Sequence, residues 1–343
     1  MWKYVLKRII LAFITLFIIL SLTFILIKML PLERALGGAP ARVAYYLKQT
    51  TLGFVYNFDK PQEGLKFIEH ISLNGVEYYF YEVPYMEQYF KWLGNIVLRW
   101  DWGTSRVIER NVDAMIIILG KLKNTVKINI FATLFSVPIG ILLGIWAALK
   151  KNKLTDHIIS TSVMIFISVP GFVLITFLML ILCYNNAILP SQWPSPSAAT
   201  STKVLGYILP VFCLSFGSIC GYARYVRAEL CEVMSSDYLL LARTKGLTRK
   251  QAIIRHAMKN AMVPIFPSIL AEVIGLLGGS MVLEKLYGIQ GIGNLFIEAL
   301  TGKDYNVLFV DMALFTMISL LAGVVLDLSY GFIDPRIRMG AKK

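Results

Sequence analysis

Six runs of mainly apolar residues are the feature that most constrains how this chain can fold. They cover about residues 9–30, 126–149, 158–184, 204–226, 263–283 and 307–330. A helix needs roughly 20 apolar residues to cross the hydrocarbon core of a bilayer, and each run has that length. Hydrophobic residues make up 57% of the chain, which excludes an ordinary soluble domain. The sequence therefore predicts an all-α polytopic membrane protein with six transmembrane helices.

Lysine and arginine residues predict the direction in which the helices cross. They collect before the first run, after the second, after the fourth and at the end of the chain: Lys3, Lys7, Arg8, Lys150, Lys151, Lys153, Arg224, Arg227, Arg243, Lys245, Arg249, Lys250, Arg255, Lys259, Arg336, Arg338, Lys342 and Lys343. The connection 185–203 holds only Lys203, and 284–306 holds only Lys285 and Lys303. Because basic residues concentrate on the cytoplasmic side, both termini are predicted to be cytoplasmic.

The first run could instead belong to a secretory signal peptide, because basic residues precede it and Ala39-Pro40-Ala41 loosely matches a cleavage site. The run is too long for such a signal, and the site lies too far from it. We therefore predict that residues 1–30 form a cytosolic amino terminus and an uncleaved first helix.

Residues 31–124 are predicted to form an extracytoplasmic insert. Within it, 67–73 and 76–83 flank Asn74-Gly75. This dipeptide is a strong hairpin signal because both central positions of the turn need positive φ. We predict a small, tyrosine-rich β-hairpin there. The hairpin is either a structural cap or a surface that receives a substrate-delivering partner.

The sequence offers no set of catalytic or metal-binding residues. It has no GxxxxGK[ST] phosphate loop, no HExxH and no GxSxG, and its three histidines lie in different loops. The four cysteines show no CxxC spacing. The net charge of +13 comes from residues at the ends of apolar runs, without the aromatic-interleaved stripe of nucleic-acid binding. We therefore predict a chain that is not an enzyme and that binds no metal, cofactor or nucleic acid.

Glu272 lies near the middle of the fifth run, where a carboxylate facing lipid is costly. It is expected to face a water-filled path or to hydrogen-bond a neighbouring helix. Small residues follow it along the chain: Gly278, Gly279, Ser280, Gly288, Gly291 and Gly293. They would let another helix or a substrate come close, or permit a tight re-entry at the outer mouth. We predict that Glu272 and these residues border a translocation path or its gate, with helix packing as the alternative.

The basic loop, residues 229–262, has the pattern of two short helices. The first is predicted to end at Gly246, and Thr248 suits the cap of a second helix over 249–262. Pro264 would then permit a turn into the fifth span. An apolar stripe runs along the second helix: Ile253, Ile254, Ala257 and Ala261. Such a helix lies either on lipid headgroups or in the groove of a soluble partner.

Within this loop, ARTKG at 242–246 and HAMKNAMVP at 256–264 resemble the cytosolic signature of ABC-transporter permease subunits of the oligopeptide, dipeptide and nickel group. Further segments resemble the same family in order: MWKYVLKRIILAFITLFIILSLTFILIKMLP, WLGNIVLRWDWGTS, NTVKINIFATLFSVPIGILLGIWAALKKNK, GGSMVLEKLYGIQGIGNLFIEAL and DLSYGFIDPRIR. Their order is that of the first of the two permeases in these systems, and only about 39–89 has no counterpart. Two departures stand out, because 31–34 reads PLER in place of Pro-Gly-Asp-Pro and only Ala242 matches the Glu-Ala-Ala of the general loop.

The resemblance implies a type I ABC importer permease fold, with a five-helix core over 125–330 and a cytosolic tail over 331–343. It implies a permease that forms half of an ATP-driven path for oligopeptides, with dipeptides or a nickel chelate as alternatives. The implied partners are a second homologous permease in a heterodimer, two cytosolic ATPases that carry ATP and Mg, and an extracytoplasmic solute-binding protein, in the cell membrane of a prokaryote. The ATPase contacts would lie in 238–264: Ala242, Arg243, Gly246, His256, Asn260 and Pro264. An ion-gradient-driven secondary transporter is the rival, although the chain has few buried carboxylates for a proton relay.

Overall fold

A computed structural model describes residues 2–28, 35, 37–51 and 53–333, with the backbone alone described at 2–5, 28, 276 and 330–333. The helices are α1 (Trp2–Lys28), α2 (Ala39–Thr51), α3 (Tyr85–Arg99), α4 (Ala114–Leu149), α5 (Leu154–Ile167), α6 (Gly171–Met179), α7 (Thr200–Met234), α8 (Asp237–Thr244), α9 (Arg249–Ala252), α10 (Met258–Gly275), α11 (Met281–Tyr287), α12 (Ile292–Thr301) and α13 (Tyr305–Ile333). The strands are β1 (Val55–Phe58), β2 (Lys66–Leu73) and β3 (Val76–Glu82). The motif at 31–34 and the tail from 334 onward lie outside the described residues.

The chain divides into two compact units, and each is described by itself. The core unit comprises Met1–Leu16 and Ser105–Lys343, and the insert unit comprises Phe17–Thr104. The division of the sequence at residues 30, 124 and 330 stays a prediction.

The transmembrane helices match the predicted runs in number. Within the described residues, five helices are long and apolar enough to cross a membrane: Leu6–Ile27, Ala114–Leu149, Thr200–Met234, Arg249–Gly275 and Tyr305–Ser329. The third predicted run is a bent pair, Leu154–Ile167 and Gly171–Asn185, with an angle of 93° at the break. The bend falls at Pro170, which has no backbone N–H and disfavours helical geometry in the residue before it. Counted as one span, the pair completes the six crossings, and the polytopic helical fold is confirmed.

The fifth span differs from its prediction at both ends. It begins at Arg249 and ends at Gly275, whereas 263–283 had been expected. The expected turn at Pro264 is wrong, because Pro264 and Pro267 both lie inside α10. A proline inside a membrane helix is tolerated where neighbouring groups compensate for the lost hydrogen bond. A π turn over Ile253–Ala257 joins α9 to α10 about two helical turns before Pro264.

The centre of the core unit is the packing of α4 against α7. Two glycines of α4, Gly140 and Gly144, make the close approach possible. A Cβ added at Gly140 would lie 2.9 Å from the carbonyl oxygen of Ile219, and one at Gly144 would lie 2.7 Å from that of Ala223. This four-residue spacing of small residues is a common device for bringing two membrane helices into backbone contact.

The insert unit contains a three-stranded antiparallel sheet in the order β1-β3-β2. The predicted hairpin is confirmed, since β2 pairs with β3 and both turn residues, Asn74 and Gly75, have positive φ. Two elements were not predicted, the strand β1 and the helix α2 that packs on the sheet. Their shared core is a set of buried residues from all four elements: Val43, Tyr46, Val55, Ile71 and Phe80.

Candidate functional site

The basic loop is held firmly on the ends of two long helices. A buried apolar cluster joins α4 and α7 to the helices of the loop, and its members are Ala148, Leu230, Cys231, Leu239, Ala252, Ile253, Ala257 and Ala261. Small alanine side chains from α9 and α10 allow the loop to lie close to α4 and α7. The loop therefore packs directly on α4 and α7 and belongs to the same compact unit.

The outer surface of the loop mixes apolar and basic side chains. Four large apolar side chains are exposed there: Tyr238, Leu240, Leu241 and Ile254. Arg243, His256 and Asn260 are exposed beside them, while Ala242 and Pro264 are half-buried. An exposed patch of this mixed character is typical of a surface that binds another protein. The predicted apolar stripe of 253, 254, 257 and 261 does not lie on a single surface. Ile254 is exposed on the outer surface, whereas Ile253, Ala257 and Ala261 are buried.

The turn between α8 and α9 follows its sequence signals. Gly246 has φ +94°, in the left-handed region that favours glycine. No atom lies within 4 Å of a Cβ added there, so the backbone conformation, and not crowding, requires glycine. Thr248 then caps α9 in a reciprocal arrangement with Gln251, as the sequence indicates.

A second candidate site surrounds the carboxylate of Glu284 in α11, which is only 3% exposed. One of its oxygens accepts a hydrogen bond from Thr125 Oγ1 of α4 at 2.9 Å. The other accepts one from the backbone N–H of Asn294 at 3.0 Å, in the first turn of α12. A helix amino terminus stabilises a buried negative charge. Burial still raises the pKa of the Glu284 carboxyl above its usual value, and these donors oppose that rise.

Three of the predicted gate glycines pack around Glu284. A Cβ at Gly279, Gly291 or Gly293 would come within 2.7, 2.4 and 3.1 Å of the Glu284 carboxylate oxygens, respectively. Gly288 instead ends α11 with φ +70°, and nothing crowds it or Gly278. The glycines at 279, 291 and 293 therefore leave room for a carboxylate whose burial no sequence pattern predicted.

Glu272 and Ser280 lie in different surroundings. The carboxylate of Glu272 is half-buried, 3.5 Å from Ser136 Oγ of α4 and close to the side chain of Tyr222 of α7. Ser280 lines an open cleft of about 340 Å³ beside the bend between α5 and α6. The other walls of the cleft are mainly apolar and include Phe166, Val169, Phe172, Phe216 and Leu283.

Three buried or paired carboxylates were missed by sequence reasoning. Asp156, 1% exposed, accepts two hydrogen bonds from Arg227, which joins α5 to α7. Asp304 is fully buried and accepts a 2.6 Å hydrogen bond from Ser105 and three more from backbone N–H groups at 106–108. Asp311 is fully buried and has no hydrogen-bond partner among the described residues. Arg227 lies 71 residues from Asp156 and Ser105 lies 199 residues from Asp304. The sequence signals each of the three carboxylates only as an acidic residue beside or within an apolar run.

Comparison with known proteins adds a family to this geometry. Residues 140–339 match the family model described as binding-protein-dependent transport system inner membrane component. A dipeptide transport system permease protein from Lactococcus lactis is 31% identical over 99% of this chain and 100% of its own length. An oligopeptide transport system permease protein from Haemophilus influenzae is 29% identical over 98% of this chain and 100% of its own.

One further relative and one solved structure are also similar to this chain. A glutathione transport system permease protein from Shigella flexneri is 30% identical and covers 98% of this chain and 99% of its own. Among solved structures, a chain of the MetNI methionine ABC transporter in an inward-facing conformation matches with a TM-score of 0.50 at 17% identity, over 64% of this chain and 97% of that one. At that identity the structural match bears on the fold alone.

Proposed function

This chain belongs to the family of binding-protein-dependent transport system inner membrane components, and from that premise we propose that it forms half of the path of an ATP-driven peptide importer. It is a multi-pass membrane permease of the oligopeptide and dipeptide ABC group. Oligopeptides are the proposed substrate class, because relatives that match over their whole length are named for dipeptides, oligopeptides and glutathione, all of which carry peptide bonds. A dipeptide or a nickel chelate is the alternative cargo.

The observation that carries the proposal is the basic loop, which is exposed on its outer surface and packed on α4 and α7 on its inner surface. A cytosolic ATPase bound to the outer surface of the basic loop would displace α4 and α7, because the inner surface of the loop packs on both helices. We assign the contacts to Ala242, Arg243, Gly246, His256, Asn260 and Pro264. Arg243, Gly246, His256 and Asn260 are exposed and available to a partner. ATP drives the change between inward-open and outward-open states only if it binds the two states with different affinity.

The proposed path runs beside Glu272 and the cleft at Ser280, on the α4–α7 side of the core unit. Peptides need volume and a few polar groups, and this cleft offers apolar walls with one serine. The glycines around Glu284 would act as a gate support, since they fix the α11–α12 hairpin against α4. Gly278 and Gly288, which no neighbour crowds, are the places where that hairpin could bend.

The proposed assembly contains a second permease, two ATPases that bind ATP and Mg, and an extracytoplasmic binding protein, in a prokaryotic cell membrane. Both chain ends are assigned to the cytoplasm. The ion pair between Arg8 of α1 and Asp327 of α13, at 2.9 Å, supports placing the two ends on the same side.

The energy source is tested by reconstituting the complete assembly in lipid vesicles with a peptide-loaded binding protein. We expect peptide to accumulate with ATP and not with an imposed ion gradient alone. Uptake driven by the gradient in the absence of ATP would overturn the proposal in favour of a secondary transporter.

The coupling role of the loop is tested in the same vesicles with Gly246→Val. A β-branched residue at φ +94° is strained by roughly 1–3 kcal/mol, so the turn should shift and ATP hydrolysis should become uncoupled from transport. Gly64→Val is the matched control, because Gly64 has φ +81° and equally free surroundings but lies in the insert unit. Full transport by the Gly246→Val variant, with the assembly intact, would refute the coupling assignment.

A further inference from the structure

Helix α3 of the insert unit carries an exposed apolar stripe. Met86, Phe90 and Val97 are 64%, 62% and 68% exposed, and the half-exposed Leu93 lies between them. Their spacing of four, three and four residues places all four side chains on one face of the helix. Large apolar side chains in a continuous exposed row are unfavourable in water, so this face requires a partner.

The neighbouring face of α3 packs against the carboxyl-terminal half of α1. Tyr89 and Trp92 lie against Phe24, with ring centroids 5.5 and 5.0 Å apart. Tyr89 also shares a 2.8 Å hydrogen bond with Ser21. Phe24 is only 3% exposed, so this contact is a true packing interface.

This contact places α3 beside the apolar part of α1. Phe24 and Ser21 lie within the apolar span Leu6–Ile27, three and six residues before its last described side chain. At 1.5 Å per residue, the contact lies at least about 5 to 9 Å along α1 from that side chain, and so beside apolar helix surface. An amphipathic helix at a membrane surface buries its apolar face about 5–10 Å into the boundary between headgroups and acyl chains.

The neighbouring surfaces agree with this position. Leu22, Ile25 and Leu26 of α1 are all more than half exposed, as expected of apolar side chains that face lipid. At the two ends of α3, Tyr85 and Trp100 are 45% and 62% exposed. Tyrosine and tryptophan are enriched at the level of lipid headgroups, where the ring meets both apolar and polar surroundings.

We propose that α3 is an interfacial helix whose Met86–Val97 stripe lies among the acyl chains of the membrane, at the level where α1 leaves the bilayer. The exposed charged residues Glu87 and Lys91 then lie along its aqueous flank. Its position beside the apolar part of α1 follows from the contacts with α1 alone. Its assignment to the outer leaflet rests on the topology proposed above.

The depth is measured with nitroxide labels on single cysteines introduced into the complete transporter in lipid vesicles. The four native cysteines are buried, which favours labelling at the introduced sites. Phe90→Cys and Val97→Cys probe the stripe, while Glu87→Cys and Lys91→Cys are matched controls on the same helix. We expect stripe labels to collide frequently with oxygen, which dissolves in lipid, and rarely with a water-soluble nickel chelate. Control labels should show the reverse.

Each other result contradicts the proposal in a recognisable way. Frequent collision of stripe labels with the nickel chelate would mean that α3 lies in water. Protection from both reagents would mean that a protein covers the stripe, either the second permease or, if protection appears only on its addition, the binding protein. In intact cells, an impermeant reductant should quench the Glu87 label from outside. Quenching only from inside would refute the topology and leave the interfacial depth standing.

Discussion

Single residues in this permease are constrained most tightly around Glu284. The carboxylate is taken out of water and is compensated by the hydroxyl of Thr125 and the first backbone N–H groups of α12. Such a site tolerates no additional atoms, because a buried charge depends on short contacts with its donors. Packing alone therefore requires glycine at position 291, because a larger residue would collide with Glu284 and Thr125. This requirement holds whether or not the position belongs to a gate.

We expect Gly291→Ala to destabilise the protein by about 1–3 kcal/mol, the usual cost of forcing a methyl group into a filled interior. The added Cβ would lie 2.4 Å from the Glu284 carboxylate and from Thr125 Oγ1. Thermal melting of the purified assembly in detergent measures the effect. Gly323→Ala is the control, since no atom lies within 4 Å of a Cβ added to that helix position. Equal melting temperatures for the two variants would show that the Glu284 site is looser than its geometry indicates.

At the scale of elements, the pair α4 and α7 organises the core unit. Backbone contact at Gly140 and Gly144 lets the two helices run side by side, and the basic loop packs on their ends. Arg227 of α7 also holds Asp156 of α5 in a two-point contact. These contacts make α7 a helix that touches the basic loop, α4 and α5 together.

We expect Gly144→Val to separate α4 from α7 and to reduce the yield of folded assembly, because its side chain would meet Ala223 and Val226 of α7. Gly120→Val, in the same helix but with nothing within 4 Å, should assemble normally. Size-exclusion chromatography of the two variants in detergent gives the comparison. A monodisperse Gly144→Val assembly in normal yield would argue against close packing of these helices.

The sequence predicted those features that depend on residues close together in the chain. The number of apolar runs, the Asn74-Gly75 turn, the stop at Gly246 and the Thr248 cap all depend on neighbouring residues, and the structure contains each of them. The bend at Pro170 was missed because hydropathy does not fall there. The buried position of Glu284 depends on Thr125, 159 residues away, and no periodicity in the chain reports such a contact. The coupling and path assignments stay predictions.

On the scale of the whole molecule, the insert unit has a core of its own. Phe80 is fully buried on the central strand, between a helix and two outer strands. Removing the whole hairpin would therefore take away the middle of the sheet and could not separate a docking role from loss of folding. A cavity in this core is a cleaner change.

We expect Phe80→Ala to destabilise the insert unit by about 3–5 kcal/mol. Limited proteolysis of the assembly should then cut within this unit while the membrane helices stay intact, as measured by mass spectrometry and helical circular dichroism. Val76→Ala, at a strand position that is 47% exposed, is the control. Unchanged resistance to protease would mean that other contacts hold the insert. Normal peptide uptake by a cleaved insert would favour its role as a cap over a role in receiving the binding protein.

The π turn at Ile253–Ala257 sets the angular phase between the basic loop and the fifth span. One helical turn there holds an additional residue, equivalent to roughly 100° of rotation and 1.5 Å of rise in a regular α-helix. The additional residue therefore determines which face α9 presents relative to the face that α10 presents. Deleting one residue from this turn would rotate α9 about the helix axis relative to α10, without changing any side chain of either helix. Such a deletion would also take Ala252 or Ala261 out of the buried cluster on α4 and α7, so the basic loop would lose part of its packing on those helices.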